Sequence, residues 1–202
     1  MYTVDQGSQI NYLIIAIIII SFVLSFIAPF ALLAIFQDIF FFSREHWVFQ
    51  GPPSAYITLG ASFLWISIIL SIYIIFKFKR EDKNKKAPHW MLIAGFPVAI
   101  LLIILAINNY YFFEKNGFAY NTLFAWEQQK YQWSDVQEID KVYEKNEGTI
   151  FLKQIIFHLN DGETIEISYG QSLWDYQRKI ISSAEASGAA IRDNLAEIRK
   201  RQ

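Results

Sequence analysis

Any chemistry in this chain must come from three scattered histidines, a few carboxylates and a serine in a turn, because it has no cysteine. Without cysteine there is no disulfide, no thiolate metal site and no thiol nucleophile. His46, His89 and His158 stand far apart, and none belongs to a His-Glu-x-x-His or related ligand spacing. Ser134 lacks the Gly-x-Ser-x-Gly context of an activated nucleophile. Asp135 has the type of a general base, yet directly after Trp133 and Ser134 it reads more simply as a turn cap that bonds a nearby backbone N–H. Glu163 and Glu166 fall on an alternating stretch as solvent-facing residues, and the chain has no Gly-rich phosphate loop. The expectation is a protein that is not an enzyme, with no catalytic, cofactor-binding or metal-binding residues and no cofactor.

The elements that carry these residues fall into two unlike halves. Residues 1–113 form the expected membrane domain, with apolar runs near 10–36, 56–76 and 90–111. Each run reaches the roughly 20 residues that cross a hydrocarbon core. The first follows a polar stretch without Lys or Arg and is too long for a cleavable signal, so it is read as a retained span. Its excess length predicts tilt, a kink at Pro29 or an interfacial exit through Phe40, Phe41 and Phe42. In the second run, Thr58 and Ser62, then Ser67 and Ser71, lie four apart, on a face where helices approach closely. Residues 43–55, with Gly51, Pro52 and Pro53, read as a connection, and Trp47 and Tyr56 suit the headgroup zone. None of the three runs holds an Asp, Glu, Lys, Arg or His, which argues against a transport pathway and for an anchor.

Charge sets the expected topology. Lys77, Lys79, Arg80, Lys83, Lys85 and Lys86 crowd one short connection, opposed only by Glu81 and Asp82. The positive-inside rule puts this membrane-surface basic loop in the cytoplasm, together with the N-terminus. Three spans then put the second half of the chain outside the cytoplasm; the alternative is a cytoplasmic second half. Lipid is the expected partner of the loop. Nucleic acid is not, because the loop has no interleaved aromatics and the whole chain carries a formal charge of only −1.

Residues 110–188 read as a β-rich soluble domain, with strands over 110–114, 118–124, 127–133, 136–144, 150–159 and 165–169. Asn116-Gly117 is a type I′ hairpin signal, because both central residues need positive φ. Asn146-Glu147-Gly148 and Asn160-Asp161-Gly162 mark two further turns. On the long fifth strand, Phe151, Ile155, Phe157 and Leu159 are expected to share one face with Lys153. Ser172-Leu173-Trp174-Asp175 matches a capping box, and Leu173, Tyr176, Ile180 and Ala184 then recur at helical spacing up to a C-cap at Gly188. A second short amphipathic helix is expected over 191–201, within residues 189–202. Trp126, Trp133 and Trp174 are read as core.

Six antiparallel strands closed by a helix, with Asn116-Gly117-Phe118, Tyr131-Gln132-Trp133-Ser134-Asp135-Val136 and Asp161-Gly162-Glu163-Thr164-Ile165 in order, resemble the bacterial pleckstrin-homology-like (PH-like) multi-pass membrane proteins. The resemblance covers residues 110–187. It implies an antiparallel barrel or roll closed by the C-terminal helix, with Asn116, Gly117, Trp133, Asp135, Asp161, Gly162 and Trp174 as its structural motif. A full barrel of that type has seven strands, so either the barrel is open or one strand is hidden. The implied function is a non-enzymatic, membrane-anchored binding or scaffold module. It would hold a protein or peptide partner at a sheet edge or in the groove beside the closing helix. The alternatives are an immunity or resistance factor against a membrane-active peptide or toxin, and a membrane enzyme. No phosphoinositide site is implied, since neither the hairpin at Lys115 nor that at Lys145 carries a Lys/Arg cluster.

Overall fold

The computed structural model describes residues 6–200 except Asn84 and Gly148. Two sequence readings touch residues outside that set: Gly148 in the middle hairpin, and Arg201 at the end of the last expected helix. The described chain divides into two compact units, residues 1–40 with 53–109, and residues 41–52 with 110–202.

The first unit is built from α1 (Gln6–Phe41), α2 (Pro53–Glu81) and α3 (Trp90–Asn108). All three helices are long and apolar enough to cross a membrane. Pro29 lies inside α1 without ending it. Close packing is made at glycines. A Cβ on Gly60 would stand 2.7 Å from the Ser25 carbonyl oxygen of α1, and one on Gly95 would run into the Ile69 side chain of α2. Leu33, Ala55, Leu59 and Ala106 form the shared core. Polar groups add directional ties. Gln37 Nε2 donates to the carbonyls of Ile107 (3.2 Å) and Asn109 (2.9 Å), Trp65 Nε1 donates to Gly95 O (2.9 Å), and Ser67 Oγ donates to Ile18 O (3.1 Å). In an apolar surrounding such bonds fix helix register, because the donor has no other partner to turn to.

Among the described residues the second unit contains eight strands and three short helices. β1 (Val48–Gln50), β2 (Tyr111–Glu114), β3 (Gly117–Tyr120) and β4 (Lys130–Gln132) make one antiparallel sheet in that order. A 3₁₀ turn over Trp133–Asp135 leads into the second sheet. There β5 (Val136–Asn146), β6 (Thr149–Leu159), β7 (Thr164–Ser168) and β8 (Ala190–Asp193) lie in the order β7-β6-β5-β8, with β8 parallel to β5. α4 (Gln171–Trp174), α5 (Gln177–Ala186) and α6 (Leu195–Lys200) complete the unit.

Of the two alternatives for the barrel, an open form and a hidden strand, the open form is present: among the described residues each sheet keeps two edges, β1 and β4 in one, β7 and β8 in the other. Other expectations are corrected. Two strands were hidden from the sequence reading. β1 comes from the connection between α1 and α2, and β8 occupies residues assigned to the last helix, which among the described residues covers Leu195–Lys200. The closing helix is broken at Asp175 and Tyr176, and its N-cap is Gly170 without a side-chain cap bond, so Ser172 is not the cap. Its end is as read: Gly188 is left-handed (φ 101°), Gly188 N–H bonds Glu185 O and Ala189 N–H bonds Ala184 O, the two bonds of a Schellman motif.

One core serves both sheets and α5. Phe113 and Phe118 of the first sheet meet Phe157 of the second at 5.8 and 4.9 Å between ring centres. Trp133, 4% exposed, stacks on Phe113. Its indole Nε1 donates to Lys115 O (3.1 Å) and its backbone N–H to Asn116 O (3.3 Å). Asp135 Oδ2 accepts the Gln132 N–H at 2.8 Å and so caps the turn that carries Trp133.

The Asn116-Gly117 hairpin forms for a different reason from the one expected. The turn residues are Lys115 and Asn116, and neither they nor Gly117 has positive φ. Gly117 opens β3 opposite Gln132, where a Cβ would overlap the Tyr131 carbonyl oxygen. Glycine is needed for close backbone approach, not for a left-handed turn. Gly117→Ala is expected to lower stability by about 1–3 kcal/mol through overpacking against the β4 backbone. An unchanged thermal midpoint would show that β4 can move aside.

Candidate functional site

The residues singled out for chemistry have local, structural partners. His46 stacks on Phe112 with 3.9 Å between ring centres, and burial lowers its pKa below the ordinary value. Its Nδ1 is buried with no hydrogen-bond partner among the described residues. His89 Nδ1 lies 3.2 Å from the Tyr73 hydroxyl, and His158 Nε2 lies 2.9 Å from Asp140 Oδ2. Among the described residues no group of three or more His, Asp or Glu is placed to hold a metal. Ser134 contributes its carbonyl to Asn160 Nδ2 (2.9 Å), and Asp135 is the turn cap. Glu163 Oε2 accepts the Tyr131 hydroxyl at 3.0 Å. Burial and that acceptor push the phenol up to about 12, so it remains a donor at ordinary pH.

The sequence motif converges on a joint. Asn116 and Gly117 face the Tyr131–Trp133 segment, while Asp135 O accepts the Asn160 N–H (2.8 Å) and brings in the β6–β7 hairpin. In that hairpin Asp161 Oδ1 accepts the Glu163 N–H (2.9 Å), and Gly162 takes φ 88°. Trp47, expected in the headgroup zone, belongs to this joint: it stacks on Trp133 and lies under Lys179 Nζ at 3.9 Å. The basic cluster is partly helical, since α2 runs through Lys77, Lys79 and Arg80. Lys79 and Arg80 complement the negative end of the helix dipole. Lys77 is buried, bonded to Asn11 Oδ1 and 3.6 Å from Glu81. Lys83, Lys85 and Lys86 are exposed.

Trp174 departs from its expected place. It is 70% exposed, while Leu173, Ile180 and Ala184 are the buried residues of this segment. Leu173 takes the core-facing position, and Trp174, about 100° further round, falls on the open side. Trp126 is likewise exposed, at 74%.

Trp174 instead lines an open groove of about 640 Å³ with Tyr143, Ile150, Phe151, Leu152, Tyr169, Gly170 and Gln177. A bulge creates it. Val142 pairs with Gln154 and Tyr143 with Leu152, so Lys153 is an extra residue in β6. The bulge reverses the side-chain alternation: Leu152 enters the core, and Phe151, expected inward, faces out. The groove's second wall is the corner from β7 to α4. Tyr169 donates its N–H to Lys153 O (2.8 Å) and its hydroxyl to Gln177 Oε1 (2.8 Å), and its ring lies 6.3 Å from that of Trp174. Burial raises the Tyr169 pKa, with Tyr143 and Asp175 adding to the shift. Lys153 and Glu144 pair at 2.9 Å. Gly170 opens into free space: a Cβ there would meet no atom within 4 Å. The groove is apolar and aromatic with a few fixed polar groups, which suits binding through shape and apolar contact.

No family model, curated protein or solved structure matches the chain.

Trp133→Ala is expected to cost about 3–5 kcal/mol. Trp174→Ala should stay within about 0.5 kcal/mol of the parent, as an exposed residue does. Thermal unfolding of the two variants side by side checks this, and a large loss at Trp174 would return that residue to the core.

Proposed function

We propose that this chain is a membrane-anchored, non-enzymatic binding module of PH-like type that captures an extended, apolar peptide segment in the groove at Trp174. The observation that carries the reading is the exposed aromatic wall of Phe151, Tyr169 and Trp174, turned outward by the Lys153 bulge. Aromatic side chains give large contact area at low conformational cost and are favoured in recognition surfaces. The PH-like reading draws support from two sheets, antiparallel apart from the β5–β8 pair, that share one core with a C-terminal helix. The test is binding of a library of short apolar peptides to the full chain in nanodiscs. Trp174→Ala and Gly170→Leu, the second of which fills the groove, should each weaken the selected peptides at least tenfold without changing the thermal midpoint. Undiminished binding by both variants would refute the groove as the site.

The proposed membrane topology has three spans, the basic turn at residues 82–89 in the cytoplasm and the β-rich unit outside it. Connectivity supports the relative part of this. β1 lies between α1 and α2, β2 follows α3, and the two strands share a ladder. Two paired strands lie on one side of a bilayer, so α2 and α3 either both cross or both fail to cross. Their lengths favour crossing, and the basic turn then falls on the opposite side from the strands. The positive-inside rule assigns that side to the cytoplasm. The chain has no cysteine, which makes labelling clean. In intact cells Lys83→Cys should resist a membrane-impermeant maleimide and Glu185→Cys should react. The reverse pattern would invert the topology.

A further inference from the structure

Residues 121–129, between β3 and β4, form a closed loop with two large aromatic side chains at its tip. Phe124 is 73% exposed and Trp126 is 74% exposed. The base of the loop is well tied. Asn121 Oδ1 accepts the Gln129 N–H (3.1 Å), and the Tyr120 N–H bonds Gln129 O (3.1 Å). Inside the loop, the Ala125 N–H bonds Thr122 O at 3.0 Å. Asn121 itself is buried. A rigid base that turns apolar rings outward is a costly surface in water, and an exposed pair of this size points to a contact.

The base also fixes where that contact can be. The Asn121 N–H donates to Tyr110 O at 2.9 Å, and Gln128 Nε2 donates to the Tyr110 hydroxyl at 3.3 Å. Tyr110 follows the end of α3 by two residues, and its ring stacks at 4.4 Å on Phe41, the last residue of α1. The loop is therefore rooted where two candidate spans end. Its tip lies at most five residues from that root, a reach of about 17 Å for extended chain. Trp and Phe at that level fit the boundary between headgroups and acyl chains. Glu127 and Lys130 flank the tip with one charge of each sign, so the contact does not need an anionic lipid.

We infer that the loop at residues 121–129 is a membrane-interface anchor that inserts Phe124 and Trp126 into the lipid surface and holds the β-rich unit against it. The inference rests on the reading of α3 as a span, and the experiment separates the two. Single-cysteine chains, Glu127→Cys, Ile100→Cys in α3 and Glu185→Cys on α5, are labelled with an environment-sensitive fluorophore. Each is reconstituted in phosphatidylcholine vesicles, with and without phosphatidylcholine carrying a nitroxide near the top of its acyl chain. The label at position 127 should emit at shorter wavelength than the label at 185 and lose most of its emission to the nitroxide lipid. Adding Phe124→Ser and Trp126→Ser should abolish both effects while the label at position 100 stays shielded from aqueous iodide. Iodide-accessible, nitroxide-insensitive emission at position 127 beside a shielded position 100 overturns the anchor and leaves the span intact. Iodide access at both positions overturns the span as well.

Discussion

The ladder between β1 and β2 is the constraint on which the β-rich unit depends. Val48, Phe49 and Gln50 pair with Phe113, Phe112 and Tyr111. Three residues of strand are a small element, yet they join segments separated in sequence by two long apolar helices. Their register is held by more than backbone bonds: the Trp47 N–H reaches Phe113 O at 2.7 Å, and Tyr111 donates its hydroxyl to Gln50 Oε1 at 3.2 Å. With β1 in place, Val48 completes the core under Phe113 and Trp133. Without it, β2 would be an edge strand with apolar residues on both faces, Tyr111 and Phe113 inward and Tyr110 and Phe112 on the other side. An exposed edge of that kind invites association.

From that sheet the unit is organised by where aromatic rings are allowed to go. Phe113, Phe118, Phe157 and Trp133 interlock in the core at ring separations of about 5–6 Å. Their burial outweighs the individual polar devices around them. A buried aromatic removed to Ala costs about 3–5 kcal/mol, whereas a cap such as Asp135 contributes about 1 kcal/mol. The cap sets geometry: by closing the 3₁₀ turn it aims Trp133 inward and sends β5 into the second sheet. Among the rings left outside, Phe151 and Trp174 stand at the groove and Phe124 and Trp126 on the loop, beside segments tied by hydrogen bonds at Tyr169 and at Asn121. Such ties lower the entropy lost on contact, which is what a recognition surface needs.

The apolar helices and most strands were legible from the sequence, because composition and alternation act locally. Runs without charge are long enough to span hydrocarbon whatever else the chain does. The strands β2 and β5 to β7 lie close to their expected places, whereas β3 and β4 keep only Gly117–Tyr120 and Lys130–Gln132 of the strands expected over 118–124 and 127–133; the Gly188 stop is where it was expected, since Gly is the residue that enters the left-handed region without strain. Asp135 was readable as a cap because its partner is three residues away.

What depended on distant partners was not legible. β1 is too short and too far from β2 in sequence to be seen, and β8 follows a helix-like pattern yet finds β5 as a parallel neighbour. Gly117 carries the right residue type for a turn, but its necessity comes from the Tyr131 carbonyl across the sheet. The inward and outward faces of β6 changed at one bulged residue, Lys153, which alternation alone cannot register. That single insertion decided that Leu152 fills the core and Phe151 lines the groove. The amino-acid sequence by itself determined the apolar helices, most of the strands, the Asp135 cap and the Gly188 stop, because those follow from side chains within a turn or two of one another. The tertiary structure alone decided which aromatics are core and which are surface, because that choice is made by pairing register and by the neighbour each ring meets.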